Sequence, residues 1–167
     1  MELPPSYPWN HWQCLGSGES QRKLLRAEIE AGQIDVESED RTILIRIRER
    51  GSFTSGSAYL NSDFLAVIDK IGVALGQIEG RIAVEGHTDS VPMNSFAYPS
   101  NWDLAVSRAA SVTRRLVKAE TGINPKRITA SGFAETRPQA TNATPEGRAR
   151  NRRVEIIVKQ PIDRFNN

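Results

Sequence analysis

The chain has 167 residues, 38% of them hydrophobic and 25% charged, with 12 Gly and 9 Pro. No stretch of about 20 apolar residues could cross a membrane, and the apolar content is too high and too periodic for disorder. One cysteine, Cys14, excludes a disulfide framework and a Cys-rich zinc site, and two histidines, His11 and His87, leave little material for a multi-His metal centre. The net charge of +2 hides an asymmetry: residues 1–100 hold 9 Lys/Arg against 14 Asp/Glu, residues 101–167 hold 13 against 6. That split points to an anionic partner for the second half, or to attraction between the halves.

Residues 1–18, with Pro4, Pro5, Pro8, Gly16 and Gly18, read as a flexible lead-in without the basic and apolar regions of a signal peptide. Leu24, Leu25, Glu28 and Ile29 give helical spacing over 19–31, stopped by Gly32. Ile34 and Val36, then Ile43, Ile45 and Ile47, alternate with polar residues on either side of Ser38-Glu39-Asp40-Arg41, a β-hairpin pattern. Asn61 or Ser62 caps a helix to about Gln77, whose apolar face is Phe64, Leu65, Ile68, Ile71 and Leu75. A strand over 81–86 ends at Gly86. After a loop with Pro92 and Pro99, Ser100 or Asn101 caps a long helix to about Glu120, with Gly122 as terminator. Ile128 and Ala130 mark a short strand, 134–150 a polar loop with room for a helical turn, and Val154, Ile156 and Val158 a final strand. The order ββαβαββ predicts an α/β fold: a mixed sheet with helices packed on one face, plus an N-terminal helix. The divisions are 1–18 lead-in, 19–40 helix and start of the hairpin, 41–160 main domain, and 161–167 tail.

Three segments carry candidate chemistry. Glu85-Gly86-His87-Thr88-Asp89 closes an apolar strand with three titratable groups in five positions. A metal site needs three or four protein ligands, and no second His lies nearby, so loop capping or a ligand contact by Asp89 is the better reading. On the long helix, Asn101, Leu104 and Arg108 share one stripe beside Ala105, Ala109 and Val112, while Arg114, Arg115 and Lys118 face elsewhere. An arginine at the edge of an apolar stripe calls for a counter-charge, and Asp89 is the nearest across the loop. The third segment, Gly147-Arg148-Ala149-Arg150-Asn151-Arg152-Arg153, invites a nucleic-acid reading. It lacks stacking aromatics and runs into an alternating strand, so arginines pinning the loop are preferred. Gly51-Ser52-Phe53-Thr54-Ser55-Gly56-Ser57 lacks a P-loop lysine and reads as a connector.

These residues resemble a known family. Gly86-His87-Thr88-Asp89, Asn101-Trp102-Asp103-Leu104 with Arg108-Ala109, Gly132-Phe133-Ala134-Glu135 with Pro138, and the block Asn142, Thr144, Glu146-Gly147-Arg148-Ala149, Asn151-Arg152-Arg153-Val154 are similar to the OmpA-like peptidoglycan-binding domain. The likeness covers roughly residues 40–160. One departure is Ala105, where the family usually carries Ser, which puts a helix-surface hydrogen bond in doubt. Pro99-Ser100-Asn101-Trp102 and Phe53-Thr54-Ser55-Gly56-Ser57-Ala58 resemble the periplasmic part of a flagellar stator B subunit (MotB/PomB type).

The resemblance implies an OmpA-like α/β sandwich that binds the diaminopimelate of the peptidoglycan stem peptide without breaking a bond. Asp89 would take the ammonium group and Arg108 the carboxylate. Thr88, Asn101 and Leu104 would shape the pocket, and Arg152 would support the loop or touch the stem peptide. Without ligand, Asp89 and Arg108 would pair with each other. The resemblance further implies a periplasmic homodimer, joined through a transmembrane helix outside this chain to an inner membrane and a stator A subunit. The region 19–40 would regulate stator activation. No cofactor, metal or nucleic acid is expected, and no enzymatic activity. Rival readings are a type VI secretion anchor on the same fold, a nucleic-acid module using the arginine run, and a hydrolase built on Glu85, His87 and Asp89.

Overall fold

In a computed structural model of the chain, residues 18–162 are described; the lead-in up to residue 17, Cys14 and His11 included, and the tail from 163 lie outside them. Alternating isoleucines build the first hairpin, in which β1 (Ile34–Glu39) and β2 (Thr42–Arg48) pair antiparallel, Ile34 opposite Ile47 and Val36 opposite Ile45. Its turn, Asp40-Arg41, holds Asp40 at φ 49°. Such left-handed positions match the twist of two-residue hairpins, and Asp tolerates them.

The last strand occupies the middle of the sheet. β5 (Arg153–Lys159) lies antiparallel between β2 and β3 (Arg81–His87), and β4 (Ile128–Gly132) runs parallel to β3 at the edge. The register stacks apolar rows across three strands: Ile43, Val158 and Ile82, then Ile45, Ile156 and Val84, all at most 2% exposed. On this face lie the buried stripes of two helices, with Phe64, Ile68, Ile71 and Leu75 on one and Ala109, Val112 and Leu116 on the other. Each large aliphatic group so buried contributes about 1.5–3 kcal/mol before entropy is counted. The opposite face carries half-buried charge: Arg46, Glu85 and Glu155.

The N-terminal helical segment is two short pieces, α1 (Gly18–Leu24) and α2 (Arg26–Glu30), broken at Leu25. Leu25 is fully buried and Ile29 packs at the margin of the core. Lys70 donates to Glu28 at 2.8 Å. Residues 19–40 thus pack on the same sheet as the rest. A single kinked turn, α3 (Glu49–Ser52), follows β2, with Gly51 at φ 90°. The two long helices are α4 (Ser62–Gly76) and α5 (Asn101–Leu116), the latter capped by Ser100. α5 stops four residues short of the expected Glu120, because the Thr121 hydroxyl donates to the carbonyls of Leu116 (2.6 Å) and Lys118 (2.8 Å) and turns the chain. The polar loop 134–150 holds the start of α6 (Pro145–Asn151), capped by Thr144.

Candidate functional site

Two glycines decide where α5 lies. Gly86 on β3 and Gly132 on β4 are partners in the parallel ladder. A Cβ on Gly86 would strike the Ala105 carbonyl oxygen, and one on Gly132 would come within 2.6 Å of the Val106 nitrogen. With no side chains there, the helix backbone rests directly on the sheet. Ala105, fully buried, therefore sits at the contact, as its place beside the apolar stripe predicts. The stripe Asn101, Leu104 and Arg108 is buried as the spacing predicts, and it faces the loop that follows β3.

That loop is held from several sides. The Thr88 amide donates to the Ala134 carbonyl (2.9 Å), and the Val91 amide donates to Asp89 Oδ1 (2.9 Å). Asn101 Nδ2 reaches the carbonyls of Asp89 (3.4 Å) and Val91 (3.2 Å), while its Oδ1 accepts from the Met93 amide (3.0 Å). Asn151 accepts from the amides of Gln139 and Ala140 and donates to Asn142, whose Oδ1 also accepts from the Ser90 amide. The two asparagines of the C-terminal block thus fasten α6 to the Asp89 loop.

Asp89 and Arg108 are both buried, 7% and 1% exposed, but they do not pair with each other. The expected resting pair is replaced by a chain of four. Asp89 Oδ2 accepts from Arg152 Nη1 at 2.7 Å; Arg152 Nε donates to Glu49 Oε2; Glu49 Oε1 accepts from Arg108 Nη2 at 2.5 Å. The reason is reach: Glu49 on α3 lies beside α5, and its amide donates to the Arg152 carbonyl at 3.0 Å. That bond fixes it between the two arginines. Burial alone would lower the Arg152 pKa, but the hydrogen bonds to Asp89 and Glu49 outweigh it and raise it. Arg108 is further held by the Ser57 carbonyl at 2.9 Å and stacks over Phe53 at 5.2 Å, so the Gly/Ser segment is part of the site and not only a connector. Arg108 Nη1 is buried without a partner among the described residues. Beside the chain opens a groove of about 220 Å3 lined by Ser90, Pro92, Met93, Asn101, Trp102 and Glu135.

Of the six expected site residues, the structure brings Asp89, Thr88, Asn101, Leu104 and Arg108 together, all under 10% exposed, with the half-buried Arg152 joining them. Glu49 was not anticipated. Its one signal was an acid set directly after an alternating strand, between two arginines. The C-terminal arginines serve the molecule itself: Arg148 donates to the Asn142 carbonyl, Arg152 to the two carboxylates, and Arg153 to Glu155 and two carbonyls. Carboxylates of the first half thus meet arginines of the second: Glu49 with Arg108 and Arg152, Asp69 with Arg115, Asp89 with Arg152, and Glu85 with Arg137.

His87 turns to the other face of the sheet. It is 1% exposed and stacked on Phe133, its Nε2 3.7 Å from Glu155 and 3.9 Å from Glu85, with no hydrogen bond on either nitrogen among the described residues. Burial, then Arg153 and Arg137, lower its pKa to about 4 against the opposing pull of Glu155. Spacing alone would let Glu85, His87 and Glu155 hold a metal ion. Arg46 and Arg153 already bind Glu155, and Arg137 lies 3.5 Å from Glu85. Both carboxylates are thus already paired with guanidiniums, which disfavours a dication. Asp89 belongs to a different cluster, so Glu85, His87 and Asp89 do not form one site.

The sequence pattern of the OmpA family matches residues 52–152, which include all six expected site residues but not Glu49. The chain belongs to the OmpA family. Among its OmpA-family relatives, motility protein B of Bacillus subtilis (strain 168) is 32% identical over 127 residues, 75% of this chain and 48% of that protein. The chain spans about half the length of the curated relatives it matches. The cell wall anchor of the T6SS from Pseudomonas aeruginosa is 38% identical, with a TM-score of 0.78 over 84% of this chain and 96% of that one. The periplasmic domain of Helicobacter pylori MotB is 27% identical, with a TM-score of 0.70 over 79% of this chain and 85% of that one. The mixed sheet with helices on one face is therefore the fold of these domains, as the sequence pattern predicted.

Proposed function

We propose that this chain is a non-covalent peptidoglycan anchor whose ligand is the zwitterionic diaminopimelate centre of the stem peptide, and that it is not an enzyme. The observation that carries the reading is a buried carboxylate, Asp89, and a buried guanidinium, Arg108, brought to one site at the end of β3. Asp89 receives the ammonium group and Arg108 the carboxylate; both bonds gain strength from desolvation. Thr88 and Asn101 fix the loop, and Leu104 supplies an apolar wall. Membership of the OmpA family and the likeness to a cell wall anchor support this assignment.

The relatives support a reading of its place in the cell. Motility protein B and the MotB periplasmic domain support a periplasmic anchor in a motility machine; on the reading proposed, the chain anchors a flagellar stator as a homodimer, with an inner-membrane partner subunit of the stator A type. In that setting α1 and α2, docked on the sheet, regulate stator activation by leaving it. The T6SS cell wall anchor supports a second reading, a secretion-system anchor using the same binding site.

The test is a pull-down on insoluble peptidoglycan sacculi with the unsubstituted chain, Asp89→Ala and Arg108→Ala, each checked for folding. Binding by the unsubstituted chain that is lost in both folded variants is the expected result. Binding that survives both overturns the assignment of the site.

A further inference from the structure

The four-charge chain is ordered in a particular way. Along the chain from Asp89 to Arg108 the signs run negative, positive, negative, positive, and the middle two belong to Arg152 and Glu49. The Arg152 guanidinium sits on Asp89 Oδ2, and the Glu49 carboxylate sits on Arg108 Nη2. Arg152 and Glu49 are also joined to each other, by side chain and by backbone. A zwitterion placed between Asp89 and Arg108 would present the same order: a cation to Asp89, an anion to Arg108, both on one small frame.

We infer that Glu49 and Arg152 are an internal stand-in for the ligand, and that Glu49 sets affinity by competing with the ligand carboxylate for Arg108. This rests on the assignment of Asp89 and Arg108 as the ligand's two anchors. Burial is the first reason. Arg108 is 1% exposed, Asp89 7% and Glu49 9%, and an unpaired charge at such depth is strongly destabilising. A ligand-free site must therefore be filled from within. The second reason is that the stand-in is imperfect. Glu49 reaches Nη2 of Arg108 and leaves Nη1 buried without a partner among the described residues. A ligand carboxylate can span both nitrogens in a two-point bond, which favours exchange. The third is that a way out exists. Arg152, its side chain 32% exposed, is the outermost of the four. Glu49 directly follows β2 with its amide on the Arg152 carbonyl, so exchange needs only its side chain to turn from Arg108 while the backbone stays in place. A ligand with a carboxylate but no ammonium group cannot release Arg152 from Asp89, so the stand-in also selects for zwitterions.

Calorimetric titration of the chain with meso-diaminopimelate tests this. Glu49→Gln removes the competing charge, and its Kd is expected to fall tenfold or more, with a lower melting temperature before ligand is added. Glu49→Asp keeps a charge beside Arg152 but withdraws from Arg108, and is expected to tighten binding about threefold. This second variant decides the matter if Glu49→Gln does not fold. Binding by the unsubstituted chain that is unchanged or weaker in the folded variant overturns the inference while leaving the site assignment intact. No binding by the unsubstituted chain or by either variant removes the site assignment and the inference together.

Discussion

Two clusters of buried charge sit at the same end of β3 and behave in opposite ways. The chain Asp89, Arg152, Glu49 and Arg108 alternates in sign and closes with a guanidinium nitrogen that has no partner among the described residues. The cluster around His87, on the other face, ties Arg46, Arg137 and Arg153 to Glu85, Glu155 and Glu37 and holds its imidazole neutral. The first is balanced and can be exchanged, partner for partner, with a zwitterion. The second pairs each of its carboxylates with a guanidinium around a neutral imidazole, and it serves as a clamp between β3, β5 and the segment following β4. His87 and Asp89, two positions apart, are thereby split between structure and binding because β3 ends at His87 and the chain then turns Asp89 toward Arg152.

The comparison can be broken by substitution. Arg108→Ala leaves Glu49 with one partner fewer and strips a buried site of its cation; it is expected to lower unfolding stability by about 3–5 kcal/mol in urea titrations. At His87 the effect is one of pH. Its folded-state pKa of about 4 lies below the ordinary 6.5, so as pH falls the unfolded chain takes up the proton first. The stability this group confers is complete above pH 6.5, is lost between 6.5 and 4, and levels off below. The loss amounts to roughly 3 kcal/mol. His87→Phe should flatten that part of the stability–pH curve, and an unchanged slope would count against the buried neutral imidazole.

Gly86→Ala sharpens the contrast, because the added methyl lifts α5 and with it Arg108, but not His87. About 1–3 kcal/mol of stability should go, and binding to sacculi should weaken while the His87-dependent pH slope persists. The smallest effect is expected at Arg26, whose bond to Glu30 lies in solvent with the two side chains 78% and 64% exposed. Arg26→Ala should change stability by about 0.5 kcal/mol or less.

Much of this was legible from alternation and caps. The isoleucine pattern of residues 43–47, the Ser100 cap and the buried stripe of Asn101, Leu104 and Arg108 all follow from local periodicity. Arg148, Arg152 and Arg153 read correctly as pins, since an arginine run leading into a strand has carbonyls and carboxylates within reach. What the sequence could not show was the partner of Arg108. Proximity in sequence favoured Asp89, whereas Glu49 stands 59 positions away and meets Arg108 only because β2 lies beside β5 and its chain turns under α5. The early end of α5 depended likewise on one hydroxyl, Thr121, whose bond to Leu116 no periodicity records.

The central claim is that a zwitterion replaces Arg152 on Asp89 and Glu49 on Arg108. Nuclear magnetic resonance of the arginine Nε–H groups, with meso-diaminopimelate added stepwise to the folded chain, observes that exchange at the atoms concerned. The account predicts that the Arg108 and Arg152 signals shift together and saturate at one ligand concentration, with Arg153 unmoved. Signals of Arg108 and Arg152 that stay fixed while the ligand binds would contradict it.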